Sequence, residues 1–455
     1  MINSKKLIDE MHEGNIDLHC VEVSITQKFE GGINLKGYGA MKVNQVGTIY
    51  LDFICREVSE IPIQSFNSAF PEDPFNSNQK LYLEAVTLEG DLIYAEEFSL
   101  KISVFNRRPP FRLPIFLHEV YFLYPTEYDQ NTENYLYFEF IEKAQVPANK
   151  MNSTSSTYGE ESSSWNEAEI LIGDSKVSII NKNDRTIVQA SGVFNEDDLY
   201  KSLLFYVGLS AGVMPQPYCL IRPVKQSTAL YLKSTRKPLK NKSIPVPFPA
   251  ASSGDGWPNC HYEILRAMLK IKNCNQLYFD SSYSQWLRVW HAFNSVNNIA
   301  ILTLGVAIEG LLNDIFIPAL KLISLDENFE KEKTNLIATL QMIGASEDHK
   351  KALIKHVERW GNIHAGKALS MLAKKGLVQE AERVAWGELR HSAAHPKFKE
   401  NTEARQEKEH KRISMCLTLF YRLILNVFSY EGAMFEFGKV RNPKFVKRDY
   451  VKVLE

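Results

Sequence analysis

The sequence predicts an α+β chain in two parts: a β-rich N-terminal region, built as an antiparallel sandwich or barrel, followed by an all-α helical bundle. Three observations predict it. Short alternating runs rich in β-branched and aromatic residues recur from residue 21 to about 232, divided by turn residues. A stretch rich in Ser, Lys, Pro and Gly follows over 234–258. After Trp257 the apolar residues change to spacings of three and four, the period of amphipathic helices.

Residues 1–110 form the first β-rich domain, with strands at 21–25, 48–54, 80–87 and 98–105, glycine turns through 31–39, and a break at Arg107-Arg108-Pro109-Pro110. A second β-rich block spans 111–233, with strands at 118–124, 135–141, 169–172 and 176–180 and a helix over 196–209. Its tract 150–164, dominated by Ser, Thr, Asn and Glu, lacks the apolar content to bury a core. It reads as a mobile loop near 145–165. Residues 234–258 read as a linker.

The helical domain, 259–455, contains helices over 261–271, 284–294, 299–322, 330–343, 349–360, 379–394 and 403–430, then a locally basic tail at 439–448. The run 299–322 is mostly apolar, as the central helix of a bundle should be, and Pro318 should end or kink it. Glu309, Asn313, Asp314 and Pro318 interrupt it, so it reads as a buried helix rather than a membrane span.

A chain of 455 residues exceeds one ordinary core. Its formal net charge of −1 argues against a globally basic nucleic-acid binder while leaving room for a local basic groove. The six cysteines form no CxxC pair, which argues against a disulfide framework or zinc ribbon and suits a reducing cytoplasm. The charged N-terminus lacks the apolar core of a signal peptide. A cytoplasmic protein with no membrane partner is expected.

The stretch with the most chemistry is Arg390-His391-Ser392-Ala393-Ala394-His395-Pro396, at the end of a helical run that the proline should stop. An imidazole supplies a proton donor and acceptor near neutral pH, and a guanidinium supplies a fixed, planar cation for charge gathering on a phosphate. Together they suit metal-independent RNA cleavage, with the imidazole handling the 2′-hydroxyl or the leaving 5′-oxygen. By spacing alone the plainer reading stands first: Arg390 caps carbonyls or pairs with a carboxylate, and His395 merely ends a helix. His391 and His395, four apart, are also spaced as a metal pair, but no HExxH pattern or third ligand accompanies them. No metal and no cofactor are expected. Gly361 to Lys367 matches GxxxxGK, yet Ala368 follows where magnesium binding needs Ser or Thr, and the preceding segment reads as helix. Lys397 and Lys399 are candidate contacts to RNA phosphates.

An Arg, a polar residue, three residues and a His, in a late helix of an all-α domain, resembles the motif of the HEPN superfamily. Ala307-Ile308-Glu309-Gly310-Leu311-Leu312 in an earlier helix is similar to the A-x-E-x-L-L helix of those domains. The resemblance covers roughly residues 260–430. It implies a HEPN-like bundle, a homodimer in which two Arg/His motifs meet, and endoribonuclease activity without metal. A non-catalytic dimerisation or interaction module, also found in the superfamily, is the alternative. Carried over, Arg390 and His395 take the catalytic places, His391 the polar place beside the Arg, and Glu309 the supporting place, with Asn313 one turn on. A carboxylate in so apolar a run is costly to bury unless paired, and Arg390 is its natural partner. A β-rich region before such a domain also resembles the layout of ApeA-type anti-phage proteins. That likeness implies RNA, tRNA among the candidates, as substrate, a phage-derived trigger, and an N-terminal region that senses or restrains.

Overall fold

The alternation seen in the N-terminal sequence is realised as sheet. In this computed structural model the described residues are 4–28, 32–58, 77, 80–100, 109–125, 134–155, 161–225, 227–235, 243–248, 257–294, 297–323, 327–394, 402–438, 444–448 and 450–454. The chain divides into two units, Met1–Lys201 with Pro215–Asn241, and Ser202–Met214 with Lys242–Glu455. The first is an antiparallel β-sheet unit and the second is helical.

The sheet unit opens with helix α1 (Ser4–Glu13), which buries Leu7, Ile8 and Met11 on one face. Its strands are β1 (Asp17–Gln27), β2 (Asn34–Val43), β3 (Ile49–Val58), β4 (Leu81–Thr87), β5 (Leu92–Phe98), β6 (Phe111–Leu117), β7 (Glu119–Pro125), β8 (Asn134–Phe140), β9 (Lys150–Ser155), β10 (Glu161–Ile172), β11 (Ser175–Asn181), β12 (Thr186–Gly192), β13 (Cys219–Val224) and β14 (Ser227–Lys233). Every second residue faces the core: Ile49, Leu51, Phe53 and Cys55 on β3 are buried, as are Val120 and Phe122 on β7. Hydrogen bonds join the fourteen strands in the order β6-β3-β2-β1-β4-β5-β7-β14-β13-β8-β12-β11-β10-β9. The run from β6 to β7 begins and ends on strands joined by the single residue His118. The sheet must therefore curl to bring those ends together, around one core that draws on α1, β1–β7, β13 and β14.

The boundary expected at residue 110 does not separate two sheets. β6 pairs with β3, and β7 pairs with β5 and β14, so strands on either side of 110 share one ladder. Strand spacing along the chain carries no information about which strands pair.

The mobile loop expected near 145–165 is largely strand. β9 and β10 pair from Lys150↔Glu167 to Ser155↔Glu161; residues 156–160 lie outside the described residues. A polar strand is tolerated here because β9 is the sheet edge and needs only one partner. Its polar groups also have a buried target: Glu167 accepts from Asn152 (3.0 Å), Lys150 (3.2 Å) and, from β11, Ser178 (2.6 Å). At the other edge β6 carries Pro114, a residue suited to a strand paired on one side.

Helix α2 (Glu196–Ala211) continues from the sheet unit into the helical one. The helical unit adds α3 (Trp257–Cys274), α4 (Gln276–Phe293), α5 (Asn297–Leu311), a π-helical turn Leu312–Phe316, α6 (Ile317–Ile323), α7 (Glu327–Met342), α8 (Glu347–Glu358), α9 (Ala365–Lys374), α10 (Glu380–Ala394) and α11 (Glu403–Val427). The π turn falls just ahead of Pro318, which has no N–H to continue the α ladder. α5 packs against α4, α10 and α11. Leu304, Ile308, Leu311 and Leu312 are fully buried, each contributing about 1.5–3 kcal/mol of burial. A Cβ on Gly310 would stand 2.4 Å from Gln285 Nε2 of α4, so that side-chain amide would have to shift to admit one. By length and composition the run Ile299–Ile323 is apolar enough to cross a membrane; half of it is buried inside the structure.

The GxxxxGK stretch is a helix–helix connection, as its flanks predict. It follows α8, and His364 caps α9 by accepting from the Lys367 amide. The α9 helix itself is an addition to the expected set. Part of the expected linker is packed: Ile244 and Phe248 are buried, the Ile244 amide donates to Gly212 O (2.9 Å), and the Tyr421 hydroxyl donates to Pro245 O (2.7 Å). Within the basic tail, Lys444–Arg448 is strand β16, paired with β15 (Gly432–Glu436).

Candidate functional site: the α5–α10 ion pair

The α10 helix turns Trp386, Leu389 and Arg390 toward α5, at the three- and four-residue spacing that shares a helix face. Leu389 is buried and lies 3.9 Å from where a Cβ on Gly305 would stand. The Trp386 indole, also buried, donates its N–H to the Gly305 carbonyl at 3.1 Å. That bond satisfies the one polar atom of a large apolar side chain and fixes where α10 crosses α5.

One turn beyond Trp386, Arg390 Nη2 donates to Glu309 Oε1 at 2.8 Å. The guanidinium also lies 5.7 Å from the Trp386 ring centroid. Two contacts therefore orient it, while 55% of the Arg390 side chain remains exposed, against 27% for Glu309. The cation is held yet open to a ligand. A pair this exposed is worth at most about 1 kcal/mol to stability, so its geometry matters more than its energy. Glu309 is thus neither a lone buried charge nor a plain solvent-facing residue.

The structure places the other expected residues unevenly. His391 is exposed on α10 beside Arg390, and Asn313 is exposed in the π turn, one turn past Glu309. His395, Lys397 and Lys399 lie outside the described residues. Among the described residues no group of three or more His, Cys, Asp or Glu side chains is arranged to hold a metal ion.

Sequence reasoning missed the network that seats the start of α10. Arg422 of α11 donates through Nε to Glu382 (2.9 Å) and through Nη2 to Glu436 of β15. Glu382 also accepts from the Gln379 amide (3.0 Å), and Gln379 Nε2 donates to Glu436 (2.9 Å). Burial pushes the Glu382 carboxyl above the usual carboxylate range, and Arg422 opposes the shift. Further along, Arg412 of α11 pairs with Glu388 of α10. An arginine inside the apolar run 416–428 was the available signal, since a buried cation requires a buried acid.

Compared with family models, with curated proteins and with solved structures, the chain has no significant match.

Proposed function

We propose that the helical unit is a HEPN-type endoribonuclease that cleaves RNA without a metal ion and acts in anti-phage defence, as a cytoplasmic homodimer whose β-sheet unit senses a trigger or restrains cleavage. The observation that carries this reading is the Arg390–Glu309 ion pair, which joins the two motif helices through the residues expected to meet. In this reading His395 takes the 2′-hydroxyl proton or protonates the departing 5′-oxygen. Arg390, aimed by Glu309 and Trp386, stabilises the charge gathering on the phosphate oxygens. His391 contacts the phosphate or orients the motif, and Lys397 and Lys399 hold neighbouring phosphates.

The test is cleavage of total RNA and purified tRNA by the full chain in EDTA, comparing the wild type with His395→Ala, Arg390→Ala and Glu309→Gln. Cleavage should vanish in the first two and fall in the third, whose melting temperature should stay close to that of the wild type because the lost pair is half-exposed. Equal cleavage by all four proteins removes this site from the mechanism.

One observation favours a second reading, a non-catalytic dimerisation or interaction module. Ile299, Leu302 and Val306 stand three and four apart on α5, each about half-exposed, on the face that continues to Glu309. An intact wild type that leaves every RNA uncut but self-associates, and loses association with Leu302→Lys, would support it.

A further inference from the structure

The exposed strip of α5 beside the Arg390–Glu309 pair has two walls. On one side α10 meets α5 at Gly305 and Glu309, through Trp386 and Arg390. On the other, α4 runs antiparallel to α5. The Ser281 hydroxyl donates to Asp314 (2.7 Å), and the Gln285 amide lies against Gly310, where a Cβ would stand 2.4 Å from Nε2 and 3.1 Å from Oε1. Each residue advances about 100° around a helix, so Gly305 and Glu309 share one edge, Gly310 lies further round, and Leu302 and Val306 fall between. Those two side chains are about half-exposed, and Asn313, two turns past Val306, is exposed as well.

Arg288 stands on the α4 wall. It is exposed, and its Nη1 lies 3.5 Å from Gln285 Oε1, a long bond to a buried amide seated on α5. That bond draws the guanidinium to the seam between α4 and α5, next to Gly310 and one residue from Glu309. Elsewhere in the helical unit Arg266, Arg383, Arg412 and Arg422 are each matched to a glutamate. Arg288 forms no ion pair among the described residues. The sequence supplies the reason: from Ser281 to Asn313 the one acid is Glu309, which Arg390 holds. A chain of net charge −1 therefore gathers positive charge on both sides of one exposed strip.

We propose that Arg288 is a second phosphate-binding residue of this site, and that a single RNA strand crosses α5 with one phosphate on Arg390 and another on Arg288. The inference rests on the reading that Arg390 takes an RNA phosphate. Packed helices lie about 8–10 Å apart, so the two walls stand at most about 16–20 Å apart, a span of a few nucleotides. The planar fork of Arg288 matches a phosphate oxygen pair, and no carboxylate competes for it. The floor between the arginines is Leu302 and Val306, which suits the apolar faces of bases and ribose better than a ligand charged throughout.

The experiment uses the full chain carrying His395→Ala, so that RNA stays intact, and reads fluorescence anisotropy of labelled tRNA and of a labelled single-stranded RNA of mixed sequence across a salt series. Adding Arg288→Ala should weaken binding about threefold to tenfold at low salt and lower the slope of log affinity against log salt by about 0.7. Arg288→Lys, which keeps the charge and loses the fork, should keep the slope and weaken binding less. Melting temperature should not move in either, because the side chain is exposed and makes one long bond. A residue that merely propped Gln285 would shift the melting temperature and leave the salt slope alone. Binding that Arg390→Ala weakens and Arg288→Ala leaves unchanged overturns this inference and spares the cleavage reading. RNA bound by neither the wild type nor His395→Ala overturns both. Arg288-dependent binding by a wild type that cuts nothing supports this inference and removes the cleavage reading.

Discussion

Replacing Arg422 with methionine should unseat the start of α10. The Arg422 side chain is 9% exposed and that of Glu382 4%. Methionine keeps an apolar stem but leaves the Glu382 carboxylate buried with the Gln379 backbone amide and no cation. Removing one partner of a buried ion pair costs about 3–5 kcal/mol. At about 2–4 °C per kcal/mol for a unit of this size, melting of the helical unit should fall by roughly 6–20 °C. The pH dependence has a definite sign. Burial already holds the Glu382 pKa above its unfolded value, and loss of Arg422 raises it further. Such a carboxyl is harmless below its unfolded pKa, and stability is lost as pH rises through the folded value. The deficit of Arg422→Met should therefore be largest at neutral pH and shrink toward the ordinary carboxylate range. Glu382→Gln/Arg422→Met, which strands no fully buried charge and leaves only the partly exposed Glu436 without its cation, should recover most of it. Urea denaturation followed by circular dichroism at several pH values reads each of these. A single variant within about 1 kcal/mol of the wild type at neutral pH, or a deficit flat in pH, would refute the reasoning.

Gly212 adopts φ +68°, and a Cβ on it would stand 2.1 Å from the Ile244 carbonyl oxygen, so Gly212→Ala should cost about 1–3 kcal/mol in urea denaturation. A variant as stable as the wild type would mean that segment 243–248 is not seated there. Burial lowers the His261 imidazole to about 3, and its Nδ1 lies 2.6 Å from the Tyr206 hydroxyl. With the folded pKa below the unfolded one, stability is full above 6.5 and is lost as pH falls toward 3, by up to about 1.4 kcal/mol per pH unit. His261→Asn should flatten that slope in acid titrations of stability.

The division into β-rich and helical parts was readable because hydrophobic period is a local property. β3 alternates in sequence and in burial, and α4 and α10 keep their three- and four-residue spacing in both. Edge strand β9 escaped because its Ser, Thr and Asn residues carry no apolar signal; a buried Glu167 on the neighbouring strand supplies their partner. The α9 helix escaped because a ten-residue helix opened by a GxxxxGK turn reads as connection. At the candidate site, Glu309 and Arg390 were both visible as residues. Their meeting depends on α10 crossing α5 where Trp386 reaches the Gly305 carbonyl.

By itself the sequence determined the division into a β-rich and a helical part, the change of texture at Trp257, and the residues with chemistry to offer, since composition and period act over a few neighbours. Only the tertiary structure decided that strands on both sides of residue 110 share one sheet, that Arg422 holds α10 through Glu382, and that Tyr94, Tyr121 and Tyr231 are cross-strand neighbours in one row. Those outcomes rest on register and packing between residues far apart in the chain, where each contact depends on how all the intervening elements settle around a shared core.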